Sequence, residues 1–145
     1  TGFAMPRLQT VRMKAPSTEL AITTITPALA DGANEVAIDA TDDVAVTWTP
    51  PTSSTSSHVM VTLETEDEDG AGAGVRCFST SRSGSAVIPS KWVARLFSSV
   101  DADKPIKGRL AVASHRQTTY YARGNWTAYI VATTQHLEQA FTGVR

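Results

Sequence analysis

The chain has 145 residues and a mass of 15.4 kDa, a length that suits a single domain with its own hydrophobic core. Its 13 basic and 14 acidic residues leave a formal net charge of −1, which argues against a dedicated nucleic-acid-binding protein, because such proteins carry a basic face. No run of about 18 apolar residues is present, so the sequence contains no transmembrane helix.

The N-terminal residues 1–19 differ in character from the rest of the chain. They carry Arg7, Arg12 and Lys14 as well as two prolines, and their apolar residues are too irregularly spaced to define an element. We expect an extended lead-in over 1–19, which is a candidate edge strand, followed by one domain over 20–145.

Four strands are predicted in the first half of this domain, at residues 20–26, 35–39, 44–49 and 58–65. The first ends at Pro27, because proline cannot donate to a sheet ladder. The third is the clearest, since Val44, Val46 and Trp48 share one face and are predicted to be core. In the fourth, the residues predicted to face inward are Val59, Val61 and Leu63.

An acidic connection comes next, with five carboxylates in the six residues 64–69. Hard cations such as Ca²⁺ bind several converging oxygens, so Glu66, Asp67 and Asp69 are candidate ligands of a weak calcium site, and no other cofactor is expected. The spacing does not fit an EF-hand, because Arg76 falls where a bidentate glutamate is required. The alternative is a solvated hairpin whose charges discourage edge-to-edge strand pairing.

A fifth strand after this connection is predicted to place Val75 and Cys77 inward and Arg76 on the opposite face. Cys77 is the only cysteine, so an intrachain disulfide is excluded. We expect Cys77 to be a small buried hydrophobe, as free cysteines usually are. A further strand is predicted at 85–88.

Residues 89–98 break the β pattern. Trp92 and Leu96 are four residues apart, and so are Val93 and Phe97. This spacing, with a proline at the start, is typical of a helix. We predict a short helix near 89–98 that packs on the sandwich through Trp92, since so short a helix is marginal alone.

The last two strands are predicted at residues 108–114 and 126–133, with a long hairpin tip between them. In this tip, Tyr120 and Tyr121 lie between Arg116 and Arg123. Tyrosine offers a large contact area at low entropy cost, and loops on a rigid scaffold commonly carry recognition. These four residues are therefore candidate binding residues for a protein or glycan. The alternative is an ordinary hairpin with the tyrosines packed down.

No pattern in the sequence indicates catalysis. His58, His115 and His136 are far apart and match no metal-ligand spacing, so we expect surface histidines. Residues 81–85 lack the first glycine of a nucleophile elbow, and residues 70–74 lack the lysine and hydroxyl of a phosphate-binding loop. The prediction is a protein that is not an enzyme and has no catalytic residues.

Short strands separated by turns at this spacing are typical of an antiparallel sandwich. The run Asp43–Pro51 followed by Val59–Leu63 resembles strands B and C of fibronectin type III and related immunoglobulin-like domains, with Trp48 at the core. Gly84–Pro89 and the helical turn after it are similar to strand E and the E–F crossing of such domains. The resemblance implies an all-β, immunoglobulin-like antiparallel β-sandwich of about seven to nine strands with one short helix.

The chain is also similar to immunoglobulin-like domains of exported bacterial lipoproteins and surface proteins of unassigned role. This resemblance implies a non-catalytic binding or structural module, exported and with its signal sequence outside this chain. Such a module recognises a protein or glycan through loops or a sheet edge. One alternative is a subunit of a self-assembling structure in which residues 1–19 exchange a strand with a neighbour; another is a weak calcium-binding adhesion module. No nucleic-acid partner and no membrane span are expected, and the chain is expected to be a monomer or a self-assembling subunit.

Overall fold

A computed structural model describes residues 20–52, 57–66, 72–122 and 126–145, with the backbone alone at 118–122 and 126–130. This part of the chain contains eight strands, one α-helix and one 3₁₀ turn. The elements in chain order are β1 (Ala21–Thr26), β2 (Val36–Asp39), β3 (Val44–Thr49), β4 (His58–Thr65), β5 (Gly74–Thr80), the 3₁₀ turn Ser81–Ser83, β6 (Ser85–Ile88), α1 (Ser90–Phe97), β7 (Ile106–Ala122) and β8 (Trp126–Val144).

The strands form two sheets, one of three strands in the order β1-β3-β6 and one of five in the order β2-β8-β7-β4-β5. Neighbouring strands are antiparallel except β2 and β8, which run parallel. Residues of both sheets contribute to one hydrophobic core. The predicted all-β sandwich with one short helix is therefore confirmed. Among the described strands, β2 and β8 are the one parallel pair.

The core follows the alternation of the sequence, because residues two apart in a strand point to the same face. In β3 the inward residues Val44, Val46 and Trp48 are buried, as predicted. In β4 the predicted set is also buried, and it consists of Val59, Val61 and Leu63.

The indole ring of Trp48 is 3% exposed. Its Nε1–H donates a hydrogen bond to the carbonyl oxygen of Ser81 at 2.7 Å, and the Ser81 amide donates to the carbonyl of Ser57 at 2.8 Å. The one polar atom of the ring is thus satisfied inside the core, which removes the cost of burying an unpaired donor.

The helix α1 lies where the sequence predicts it, but the prediction that Trp92 anchors it is wrong. Trp92 is 43% exposed, and the residues that α1 buries are Val93, Leu96 and Phe97. The side chains of Lys91 and Arg95 lie over the Trp92 ring, 5.8 and 5.7 Å from its centroid. The helical spacing pairs Trp92 with Leu96 but does not fix which side of the helix meets the sheets. Within the described chain no helix is long and apolar enough to cross a membrane.

Cys77 lies on β5, at the edge of the five-stranded sheet. It faces inward, as predicted, and packs against the core together with Val75, but it is half-buried rather than buried. The reason is its position on an edge strand, which is covered on one side only. Arg76 points to the opposite face and pairs with Glu64 at 3.2 Å.

Strands β7 and β8 are much longer than the sequence predicts, and this corrects the predicted hairpin tip. Residues 115–122 continue β7, and residues 134–144 continue β8. Tyr120 and Tyr121 therefore lie in a strand rather than in a loop. The segment 115–122 contains no glycine or proline and is rich in threonine and tyrosine, which suits it to a strand.

The end of β8 is tied to the loop that follows α1. The guanidinium of Arg145 donates hydrogen bonds to the carbonyl oxygens of Val100, Asp101 and Ala102 at 2.7 to 2.9 Å. Because guanidinium offers five donors in a fixed fork, one side chain holds three successive peptide units of this loop.

Candidate functional site

The most unusual element is the β-ribbon formed by residues 116–122 of β7 and 126–132 of β8. Strand β4 pairs with β7 only from Gly108 to His115, whereas the β7–β8 pairing continues from Arg116–Ala132 to Ala122–Trp126. These seven further residues extend the hairpin by about 23 Å at roughly 3.3 Å per residue. We call this part of the molecule the ribbon.

The outer edges of the ribbon carry no partner strand among the described residues. Over 116–122, β7 pairs with β8 alone, and β2 reaches β8 only at 141–144. A strand edge without a partner presents a row of backbone N–H and C=O groups that can template another strand. The ribbon therefore offers two such edges, one on each strand.

The predicted binding residues fall on this ribbon. Arg116 is half-buried and pairs in register with Ala132. Tyr120 and Tyr121 occupy β7 positions opposite Ala128 and Thr127. Their side chains lie outside the described part of the structure, and so does Arg123.

A second cluster lies on the outer face of the five-stranded sheet. His58 of β4 and His115 of β7 are directly paired in register, and their rings stack with centroids 5.5 Å apart and planes at 23°. Phe78 of β5 meets His115 edge-on at 5.6 Å and is 58% exposed. Burial of His115, and the charge of His58 beside it, hold the pKa of His115 below its ordinary value.

The third histidine, His136, lies at the irregularity in the β7–β8 ladder. Its Nε2 is 2.7 Å from the hydroxyl oxygen of Ser114, and burial holds the pKa of His136 below its ordinary value. A serine beside a histidine is the start of a nucleophilic site. Ser114, however, is only 1% exposed, so its oxygen cannot meet a substrate, and we interpret the contact as a structural hydrogen bond.

Ion pairs connect β7 to β8 and to Glu66, which follows the end of β4. Arg109 contacts Glu138 at 2.8 Å and Glu66 at 3.4 Å. The hydrogen bond between Arg109 and Glu138 raises the pKa of Arg109 and lowers that of Glu138. All three groups are exposed, so the pairs contribute little to stability. The candidate calcium ligand Glu66 is thus engaged by a cation.

The other two candidate calcium ligands, Asp67 and Asp69, lie outside the described residues. Within the residues that are described, no three His, Cys, Asp or Glu side chains converge to hold a metal ion. Calcium binding by the acidic connection stays a prediction.

The pair of His58 and His115 is the site that sequence reasoning missed. The two residues are 57 positions apart in the chain, and only the register of β4 against β7 brings them together. The sequence contains only a weak signal for this pair, namely that each histidine lies at a strand position whose side chain is predicted to face solvent. Predicting that the two side chains meet requires knowing that β4 and β7 are neighbours in the sheet.

Comparison of the chain with protein-family models, with curated proteins and with solved structures gives no match in any of the three.

Proposed function

We propose that this chain is an immunoglobulin-like, non-catalytic binding module that recognises an extended protein segment by strand addition along the ribbon. The observation that carries the proposal is the seven-residue continuation of the β7–β8 pairing past the end of β4. Recognition of a glycan by the tyrosines and arginines at the tip stays a prediction, since it depends on side chains outside the described part.

The strand order supports the immunoglobulin-like assignment. Strands β1, β3 and β6 form one sheet, and β8, β7, β4 and β5 follow one another in the other. Read as A, B, E and G, F, C, C′, this order is similar to that of immunoglobulin-like domains, in which an extra strand joins the G-F-C sheet. The helix between β6 and β7 then occupies the E–F crossing.

The composition of the ribbon suits strand addition. Apart from Arg116 at its base, the ribbon strands 116–122 and 126–132 contain no charged residue and no proline, and they are rich in threonine, tyrosine and other strand-favouring residues. Natural proteins usually protect exposed edges with charges, prolines or bulges, and beyond Arg116 these strands lack the first two. In strand addition the main-chain hydrogen bonds give affinity and the alternate side chains give specificity.

Shortening the ribbon tests this proposal. Gln117 and Val131 are paired in register, so replacing residues 118–130 with Asn-Gly closes a two-residue hairpin of type I′. Residues 118–122 and 126–130 pair only with each other and not with β4 or β2. We therefore expect the free energy of unfolding to change by less than about 1 kcal/mol. Urea unfolding of the two proteins measures this.

Peptide binding is then compared between the full chain and the shortened variant. A display library of 12-residue peptides serves as the probe, and we expect the full chain to select extended, β-branched sequences. Their affinity should fall at least about tenfold with the shortened variant and also with a proline in the middle of the peptide, which removes a ladder hydrogen bond. Equal binding by the two proteins, or selection of no extended peptide by the full chain, contradicts the proposal.

A second candidate function, self-assembly by strand exchange through residues 1–19, has one observation in its favour. Among the described strands, β5 pairs only with β4 and β6 only with β3. A cleft of about 500 Å³ lies between these two edges, lined by Val75, Cys77, Val87 and Trp92 among others. An apolar cleft between two unpaired edges is where a donated strand would add to a sandwich.

Size-exclusion chromatography with light scattering tests strand exchange. If residues 1–19 of one copy fill the cleft of another, the full chain should associate and a chain that begins at Ser17 should be monomeric and less stable. Two monomers of equal stability would eliminate this function. The same experiment leaves the ribbon proposal untouched, because both chains keep β7 and β8.

A further inference from the structure

We propose that His58 and His115 form a two-histidine site for a zinc ion on the outer face of the five-stranded sheet. The two residues occupy directly opposed positions of antiparallel strands. At such positions the Cβ atoms lie about 4.5–5.5 Å apart and the side chains share a face. The rigid β4–β7 ladder, which continues for seven further pairs to Thr65 and Gly108, fixes this spacing before any ion binds.

The distance between the rings suits a bridging ion. Zinc binds histidine nitrogens at 2.0–2.1 Å, and two nitrogens on one tetrahedral zinc are about 3.4 Å apart. The ring centroids of His58 and His115 are 5.5 Å apart. Because the nitrogens lie on the perimeter of the rings, rotation about the Cβ–Cγ bonds brings one from each ring closer together than the centroids are.

Ion binding requires the rings to turn out of their present stack, in which the planes differ by 23°. His58 is exposed at the first position of β4, so its ring turns without displacing core residues. His115 is held on one side by the edge of Phe78, which orients its ring. Packing against Phe78 thus limits how far the His115 ring turns, and the exposed His58 ring makes the larger adjustment.

The surroundings of His115 also favour an added partner for its ring. Its Nδ1 is buried and has no hydrogen-bond partner among the described residues, which costs free energy as long as it stays unsatisfied. Zinc binds the imidazole nitrogen through its lone pair, so an ion would give this nitrogen the partner that it lacks. Phe78 supplies an apolar wall of the kind that surrounds many metal sites.

The two histidines are the only ligands that the described residues supply, since no third His, Cys, Asp or Glu joins them in a metal-binding group. The remaining positions are left to water or small anions. An open site of this kind binds more weakly than the closed four-ligand sites of structural zinc proteins.

Isothermal titration of the full chain with zinc chloride tests the site. The variants His58→Phe and His115→Phe keep two aromatic rings at the stacked positions and remove the ligand nitrogens. The matched control is His136→Gln, which removes the third histidine and keeps a hydrogen-bonding group next to Ser114. Far-ultraviolet circular dichroism and thermal melting establish that each variant is folded.

We expect one zinc per chain in the unmodified protein and in His136→Gln. In each phenylalanine variant the affinity should fall at least about tenfold. Imidazole nitrogen resonances of His58 and His115, and not those of His136, should shift on addition of zinc. Three results would each overturn the proposal: no saturable binding by the unmodified protein, a phenylalanine variant that binds zinc as tightly as the unmodified protein, or a loss of affinity in His136→Gln as large as in the phenylalanine variants.

Discussion

Replacement of Trp48 by alanine should lower the free energy of unfolding by about 3–5 kcal/mol, the usual cost of deleting a large buried aromatic ring. The ring is 3% exposed and lies in the middle of the three-stranded sheet, on β3. Its removal leaves a cavity and also leaves the Ser81 carbonyl without its indole donor. Since the free energy of unfolding of a domain is typically 5–15 kcal/mol, this loss removes a large share of it.

Urea unfolding at 25 °C measures the effect, and a second variant separates its two parts. Trp48→Phe keeps an aromatic ring in the core and removes the hydrogen bond to Ser81, so we expect a smaller loss of about 1–3 kcal/mol. The control is Trp92→Ala, which should cost less than about 1 kcal/mol because Trp92 is largely exposed on α1. A loss below about 1 kcal/mol for Trp48→Ala would refute the inward register of β3.

Replacement of Gly108 by alanine is the second change with a large expected effect. Gly108 is buried on β7, between β4 and β8. A Cβ atom at this position would meet the backbone carbonyl oxygen of Glu64 and would lie 2.7–2.8 Å from the ring of Phe141. The Phe141 ring is fully buried and stacks on Phe97, so neither neighbour moves away freely.

We expect Gly108→Ala to destabilise the fold by about 1–3 kcal/mol or more, because overpacking a filled core displaces backbone or forces strained rotamers. Thermal or urea unfolding reports the loss. The matched control is Gly74→Ala on the edge strand β5, where the closest contact is the flexible side chain of Glu64. That change should stay within about 0.5 kcal/mol. If the two alanine variants are equally stable, the close approach of β4 and β8 around Gly108 is not as described.

The sequence predicted the sandwich well where the hydrophobic pattern has one buried face. β3 alternates strictly in burial, and β4 does so except that Thr62 is buried as well; in both, the strand bounds and the predicted inward residues are confirmed. The short helix was predictable for the converse reason, since residues 89–98 switch to a four-residue spacing after a proline. The side of the helix that packs inward was not predictable. Both Trp92 and Val93 have an apolar partner four residues later, and only contact with the sheets decides that Val93 is buried and Trp92 is exposed.

The sequence pattern does not predict the length of the β7–β8 hairpin. Beyond His115 the ribbon has no β4 neighbour, and residues 116–122 do not alternate between polar and apolar side chains. The sequence pattern therefore predicts a loop for the candidate residues of the tip, whereas the register of β7 against β8 places Tyr120 and Tyr121 in a strand. The histidine pair was missed for a related reason, since strand neighbours in a sheet are set by topology and not by local sequence.

Local chemistry, which the sequence contains in full, determined the all-β class, the strand phases of β3 and β4, the helix near residue 90 and the inward side of Cys77. Alternation, proline and turn residues act over a few neighbouring positions, so one chain segment is enough to read them. Tertiary structure alone decided which strands became neighbours. Pairing β4 with β7 brought His58 onto His115. The shorter β4 leaves the β7 edge of the ribbon without a partner among the described strands, and the short β2–β8 pairing does the same for the β8 edge. Both outcomes depend on contacts between residues far apart in the chain, whose free energy no local pattern records.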